Sequence, residues 1–290
     1  MQLTNYLDDV VVWAPAKVNL FLEVLGKRPD GYHDIATLMV ALRLYDTLVF
    51  RAHPSLTLHC SDARLSAGPD NLVLKAAKLL QDRTGCKLGA NIRLIKRIPM
   101  EAGLAGGSAD AAATLLGLNL LWQLGLSNDE LANLSGAIGS DIPFFFHTPA
   151  AWCMGRGEIV TPVELPIPLH FVLLCPAFGM ATANVYKNVV VPQAPVDGAG
   201  IKTAFAKGDV DNIGRLLHNR LQRAAESLDP RIGEFARMLA EANPAGSLMS
   251  GSGSTLFALC RSVEDAKRIA ASLKSHSKAY EFKLIVTRSI

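Results

Sequence analysis

Residues 99–110 read PMEAGLAGGSAD, and the reading of this stretch decides the fold. It lies between a short alternating segment, Asn91 to Ile98, and an apolar segment with helical spacing, Ala109 to Trp122, in which Ala111, Leu115, Leu118 and Trp122 recur at four, three and four residues. Gly103, Gly106 and Gly107 allow backbone N–H groups to converge with no Cβ in the way, and a following helix adds unpaired N–H groups and the positive end of its dipole. A glycine loop between strand and helix is an anion cradle and suits phosphate. The P-loop pattern is absent because no lysine follows Gly107, and the dinucleotide pattern is absent because the loop reads G-x-x-G-G-S. A purely structural loop, closing strand against helix, stays open on these residues alone. Ser108 is either an N-cap or a Mg²⁺ ligand, with capping the simpler reading.

Upstream, Val10 to Leu25 reads as an extended segment with Pro15 as an interruption or edge position. Val18, Leu20, Leu22 and Val24 fall on one face, and Lys17, Asn19, Phe21 and Glu23 on the other. Arg28-Pro29-Asp30-Gly31 is a turn signal, after which Leu38 to Phe50 can pair back on the first strand. Leu72 to Arg83 has helical spacing and stops at Gly85, and Ser127 to Glu130 forms a capping box for another helix. Asp141 precedes Ile142-Pro143 and reads as the N-cap of a short helix with proline in its first turn.

Beyond Pro149 the texture changes, and Pro162, Pro166 and Pro168 lead into a strand at Phe171 to Cys175. A boundary near residue 165 gives domains 1–165 and 166–290. The second reads as helices over 211–227, 231–242 and 266–274 with strands at 255–260 and 281–286, an α+β layer of ferredoxin-like style. The Ser250-Gly-Ser-Gly-Ser254 run is either a hairpin turn or a second backbone nest for phosphate.

Of the 290 residues, 50% are hydrophobic and 19% charged, which suits two globular domains with sizeable cores. A net charge of +3 is too weak for a nucleic-acid footprint. Five cysteines stand singly, with no C-x-x-C pair, so free thiols in a reducing compartment are expected, each a small buried hydrophobe. The N-terminus lacks a basic start with an apolar block behind it, and the run Ala111 to Leu126 is broken by Asn119 and Gln123. These features lead us to expect a cytoplasmic protein with no membrane span.

Three segments together resemble the GHMP kinase superfamily: APAKVNLFLEVLGKRPDGYH at 14–33, PMEAGLAGGSADAA at 99–112 and MSGSGSTLFAL at 249–259, supported by DNLVLKAAKLL at 70–80 and GSDIPFFF at 139–146. The resemblance spans essentially the whole chain. The AKVNLFL core with its RPDGYH turn is most similar to the branch that phosphorylates a cytidine-diphosphate-linked sugar alcohol in non-mevalonate isoprenoid synthesis. It implies a two-domain α+β fold: an N-terminal α/β nucleotide-binding domain and a C-terminal ferredoxin-like α+β domain.

Further implications attach to single residues. ATP with Mg²⁺ would be held by Lys96, Pro99, Met100, Glu101, Ala102, Gly103, Leu104, Ala105, Gly106, Gly107, Ser108 and Ala109, with Ser108 toward the metal. Lys17 and Asp141 would be catalytic. Asn19, Tyr32, His33, Tyr186, Gly251, Ser252 and Gly253 would bind the acceptor, with Tyr32 and Tyr186 sandwiching the base and His33 reading its edge. The partners implied are small molecules, without nucleic acid or membrane, and the enzyme is expected to be a monomer or weak homodimer. Glu101 and Ala105 depart from the glycines common at those positions, and Arg220 and Gln222 stand where acidic residues are common, so no role is carried to them. Another GHMP enzyme, of homoserine or mevalonate type, is the nearer alternative. A non-catalytic small-molecule or RNA-binding module on the same scaffold is the more distant one.

Overall fold

The computed structural model describes residues 1–6, 9–274 and 281–290. The chain forms two compact units, one from Met1–Ala16, Leu44–Ile98 and Ala105–Thr148, the other from Lys17–Arg43, Pro99–Leu104 and Pro149–Ile290. They interleave along the sequence and do not follow a single cut near residue 165. The cause is local: strands β2 (Asp9–Lys27) and β3 (His33–His53) are long enough for each to contribute to both. These strands are neighbours, a pairing the sequence allowed.

In the first unit, β1 (Gln2–Tyr6) pairs antiparallel with the start of β2, from Gln2↔Trp13 to Tyr6↔Asp9. The end of β3 pairs antiparallel with β5 (Gly89–Ile95) from Thr47↔Ile95 to His53↔Gly89, and β4 (Thr57–Cys60) lies parallel to β5. Helix α1 (Leu72–Thr84) is capped by the Asn71 side chain, which accepts from the Val73 N–H, and it ends at Gly85 with φ 73°. Helix α2 (Gly106–Leu121) is buried on most sides, as its all-round apolar composition demands. Its small residues allow close approach: a Cβ at Gly117 would stand 2.4 Å from the Phe50 ring. Helix α3 (Asn128–Ser135) carries the expected capping box between Ser127 and Glu130. A 3-10 turn, Pro143–Phe146, then buries three consecutive phenylalanines.

In the second unit, the start of β3 pairs with β6 (Ala150–Met154) from Thr37↔Cys153 to Val40↔Ala150, and β6 pairs with β7 (Ile159–Pro162). A separate antiparallel sheet holds β8 (His170–Pro176), β10 (Gly246–Met249), β11 (Leu256–Cys260) and β12 (Phe282–Arg288) in the order β10-β11-β8-β12. Helices α4 (Thr182–Lys187), α5 (Ala199–Ala206), α6 (Val210–Arg215), α7 (Leu221–Leu228), α8 (Arg231–Glu241) and α9 (Val263–Lys274) complete the layer. Leu174, Leu221, Phe235, Leu239, Leu256 and Ile269 share its core. The α+β character expected for the C-terminal part holds.

One helix expected over 211–227 is broken. Between α6 and α7 the chain extends as β9 (His218–Asn219) and pairs parallel with β2 at Phe21↔His218 and Leu22↔Asn219. The Arg220 N–H donates to the Leu22 carbonyl at 2.9 Å, and the Arg220 guanidinium donates to Glu23. Tertiary pairing therefore outweighs a helical pattern that is continuous in sequence.

Candidate active site

The glycine loop opens α2 in an unexpected way. The helix begins at Gly106, three residues earlier than its apolar spacing indicated, and its N-cap is Ala105 with φ 53° and no side-chain cap bond. Ser108 is thus the third helical residue, and the capping role expected for it is corrected. With no polar side chain in the cap position, the first N–H groups of α2 are not claimed by a capping oxygen, which is what an anion cradle requires.

Glu101 and Ala105 both sit in the left-handed region, at φ 51° and 53°. Those are the two positions where glycine was expected from the resemblance, and the backbone shows why glycine would suit them. Glu101 fits because Gly179 is bare: a Cβ there would stand 2.6 Å from both Cβ and Oε2 of Glu101.

Residues Pro99–Leu104 belong to the second unit and pack on the β10–β11 hairpin. Gly103 has φ 71°, and a Cβ on it would approach the Ser250 carbonyl to 2.0 Å. The Ser250 hydroxyl donates to the Gly103 carbonyl at 3.0 Å, and the Thr255 N–H donates to the Ala102 carbonyl at 3.2 Å. The Ser250–Ser254 run is accordingly the turn of a buried hairpin, with Gly251 and Gly253 at φ 54° and 82°. Ser252 exchanges a hydrogen bond with the Thr182 hydroxyl at 2.8 Å.

Against this hairpin stands the pair singled out on the first strand. Lys17 and Asn19 are both buried, and the Lys17 ammonium donates to Asn19 Oδ1 at 2.6 Å. Asn19 Nδ2 donates to the Thr37 hydroxyl at 2.8 Å, which in turn donates to the Phe21 carbonyl. A Cβ at Gly251 would lie 3.2 Å from the Lys17 ammonium and 3.4 Å from Asn19 Oδ1, so the hairpin glycine and this polar pair share one place. Asn219 holds the hairpin there, donating to the Met249 and Gly251 carbonyls at 2.8 Å each.

The aromatic residues expected around the base also have partners within the protein. His33 and Tyr186 rings stand 5.4 Å apart at 31°. Tyr32 is exposed and has the Arg156 guanidinium over its ring at 5.1 Å. Desolvation, with the Lys27 charge second, lowers the His33 pKa and so favours the neutral ring, which has one donor and one acceptor nitrogen.

In the first unit, Lys96, expected to help hold the nucleotide, is paired with two acidic side chains. Its ammonium is 6% exposed and paired with Asp46 and, at 2.7 Å, with Asp110. Asp46 also accepts from the Arg97 and Ile98 N–H groups at 2.5 and 2.9 Å, so one carboxylate fixes the exit of β5. Burial, opposed by the Lys96 charge and reinforced by that of Asp46, pushes the Asp110 pKa up to about 8. Bare Gly106 admits this cluster: a Cβ there would stand 3.0 Å from Ile98 and 3.2 Å from the Lys96 ammonium. Asp141, half-buried, precedes the 3-10 turn, whose N-cap is Ile142 with no side-chain bond; the capping role expected of Asp141 is corrected.

Sequence reasoning missed Glu23, Arg220 and Arg156. Glu23 is fully buried and takes two 2.7 Å bonds from Arg220, one at 2.9 Å from the Val196 N–H and one at 3.1 Å with His218. Its signal was present as an acidic residue on the same strand face as Lys17 and Asn19, opposite a basic residue where acidic ones are common. Gln222 accepts from the Met249 N–H at 3.0 Å, a second support for the hairpin. All five cysteines are free, though Cys60 and Cys86 are half-exposed instead of buried. Among the described residues no cluster of three or more His, Cys, Asp or Glu could hold a metal, and no helix is long and apolar enough to cross a membrane.

The model of the GHMP kinases N-terminal domain matches residues 71–148, and that of the GHMP kinases C-terminal domain matches residues 201–279. A 4-diphosphocytidyl-2-C-methyl-D-erythritol kinase of Pelotomaculum thermopropionicum is 40% identical over 284 residues, covering 97% of this chain and 98% of its own. The enzyme of that name from Shouchella clausii is 40% identical over 278 residues, covering 94% of each. A crystal structure of 4-(cytidine 5'-diphospho)-2C-methyl-D-erythritol kinase superposes with TM-score 0.79 at 34% identity, over 97% of this chain and 99% of the other. Homoserine kinase of Cytophaga hutchinsonii shares the fold at TM-score 0.77 and 19% identity, over 100% and 97%. With both domain models matched and near-full-length identity of this order, the chain belongs to the GHMP kinase superfamily, in the branch of the 4-diphosphocytidyl-2-C-methyl-D-erythritol kinases.

Proposed function

We propose that the protein transfers the γ-phosphoryl group of ATP to a hydroxyl of 4-diphosphocytidyl-2-C-methyl-D-erythritol. The observation that carries the kinase reading is the start of α2, opened by a glycine loop and left without a side-chain cap. The acceptor follows from the relatives that match end to end.

In this reading the backbone of residues 99–109 cradles the triphosphate. Ser108, in the first turn of α2, supplies a hydroxyl oxygen to Mg²⁺, a hard cation that takes most of its ligands from phosphate and water. Bound there with ATP, Mg²⁺ would offset phosphate charge. Asp110 Oδ2 is paired with Lys96.

The acceptor oxygen bonds to the γ-phosphorus as the bond to the β–γ bridging oxygen breaks, and ADP leaves with that electron pair. Asp141 accepts the hydroxyl proton late in the step. Lys17, oriented by Asn19, offsets charge on the transferring group. Such transfer is mostly positioning and charge stabilisation, and a proton acceptor contributes ~10²–10⁴ in rate. Gly251, Ser252 and Gly253 face the acceptor's diphosphate, while Tyr32, His33 and Tyr186 read its base. Residues 1–165 serve ATP binding and catalysis and 166–290 chiefly the acceptor. The enzyme works in the cytoplasm as a monomer or weak homodimer.

The test is ADP release by the purified chain with ATP and, in turn, 4-diphosphocytidyl-2-C-methyl-D-erythritol, homoserine and mevalonate. Turnover is expected with the first alone and is lost in Lys17→Ala and Asp141→Asn. Equal turnover with homoserine, or near wild-type rates in both variants, refutes the reading.

A further inference from the structure

Arg156 occupies a turn shaped to aim it. Gly155 and Gly157, at φ 69° and 121°, flank it between β6 and β7, and the Gly157 N–H closes the turn on the Met154 carbonyl at 3.0 Å. Glu158 folds back beneath: its carboxylate accepts from the Arg156 N–H at 2.6 Å and from Nε at 3.3 Å. Glycine at 155 makes room for this, since a Cβ there would stand 3.1 Å from Glu158 Oε2. The Ile35 N–H donates to the Gly155 carbonyl at 2.7 Å, tying the turn to the start of β3, three residues from Tyr32.

Tyr32 is fixed from its own side. Its N–H donates to Asp30 at 3.0 Å, and its carbonyl accepts from the Arg28 N–H at 2.8 Å. Arg28 in turn bridges Asp30 and Asp34 at 3.1 and 2.9 Å. With the guanidinium 5.1 Å from its centroid, the ring is still 55% exposed, so one face is backed while much of the ring stays accessible. A cation over one face holds an exposed ring by the quadrupole attraction and keeps it from turning freely. A ring held in this way is a stacking platform for a planar ligand, beside the His33–Tyr186 pair.

We propose that Arg156 is a positioning residue for the acceptor's pyrimidine, acting through Tyr32, whose ring it fixes for stacking. The proposal rests on the acceptor reading given above. The guanidinium touches the tyrosine and not the reacting atoms, so its loss weakens acceptor binding and leaves the transfer step alone.

The experiment is steady-state kinetics of Arg156→Met, Tyr32→Leu and the double variant, with titration of cytidine 5'-diphosphate as a binding probe. For Arg156→Met we expect KM for 4-diphosphocytidyl-2-C-methyl-D-erythritol to rise about 2–5-fold, the scale of an exposed cation–π contact, with kcat and KM for ATP unchanged. The double variant is expected to bind no worse than Tyr32→Leu alone, because the arginine acts through the ring. An unchanged acceptor KM, an equal rise in KM for ATP, or additive losses in the double variant overturns the proposal. If the wild-type protein fails to phosphorylate the acceptor, the functional reading falls separately. Cytidine diphosphate affinity then decides: weakening in Arg156→Met upholds the assignment, and an unchanged affinity ends it.

Discussion

The Lys96 ammonium stands 2.7 Å from an Asp110 carboxylate oxygen, and both side chains are almost wholly buried. With Asp46 on the same ammonium, this pair joins the end of β5, the start of α2 and strand β3. Lys96→Met would leave the buried Asp46 and Asp110 side chains without their cation, at a cost of ~3–5 kcal/mol. Urea unfolding of the variant measures it, and a loss below 1 kcal/mol would show that the cluster is not a structural anchor.

Asp110 also gives the protein a pH signature. Its folded pKa, about 8, lies above the ordinary 3.8, so the folded state holds a proton that the unfolded chain has released across that window. This contribution is fully present below pH ~3.8 and fades as pH rises through 8. Asp110→Asn should flatten the fall in Tm between pH 5 and 8; an unaltered slope would assign it elsewhere.

Glu23 has the opposite sign. Burial raises its pKa, but hydrogen bonds from Arg220, the Val196 N–H and the Val24 N–H, with the His218 charge, hold it down at about 2, below the usual 4.5. Its contribution is therefore present above pH 4.5 and is lost as the pH falls toward 2. We expect Glu23→Gln to be less stable at pH 7 and less acid-sensitive over pH 4.5–2, as followed by circular dichroism.

Ala105 at φ 53° carries a Cβ in a region that costs L-residues roughly 1–2 kcal/mol. Ala105→Gly should raise the urea midpoint by the equivalent of about 1 kcal/mol, part of the relief being offset by the added freedom of the unfolded chain. A lower midpoint would mean that this conformation is not strained.

Gly251 leaves a space of 3.2 Å between an added Cβ and the Lys17 ammonium, at φ 54°. Gly251→Ala should displace either the hairpin or the lysine and cut kcat on the order of 10–100-fold, since small misplacements at a reacting centre are amplified in rate. Stopped assays with saturating ATP and acceptor would register it; an unaffected kcat would separate the hairpin from Lys17 function.

The local elements were legible because local rules govern them: α1 with its Gly85 stop, the Ser127 capping box, and the alternation of β2 all follow from residue pattern. The glycine loop was legible as the link between a strand and a helix, and its two non-glycine departures are the non-glycine residues of the loop at positive φ. What escaped was set by contacts distant in sequence. No pattern within 211–227 announces that His218 and Asn219 will leave a helix to pair with β2. Likewise Lys96 reads as a phosphate-facing lysine until Asp46, fifty positions earlier, arrives beside it. Arg156 reaches Tyr32 only because β6 pairs with β3.

The interleaving of the two units has a consequence for biosynthesis. Every residue of the first unit has emerged once Thr148 is made, whereas Lys17–Arg43 belongs to a body whose last strand ends at Arg288. Leu42 bridges to Ser289, and the Ile290 N–H donates to the Ala41 carbonyl at 3.1 Å, so this early stretch meets these partners only after residues 289 and 290 are made. The nascent protein must therefore carry the strand bearing Ala41 and Leu42 incompletely clothed until residues 289 and 290 follow, and removing those two residues would uncover a segment laid down far earlier.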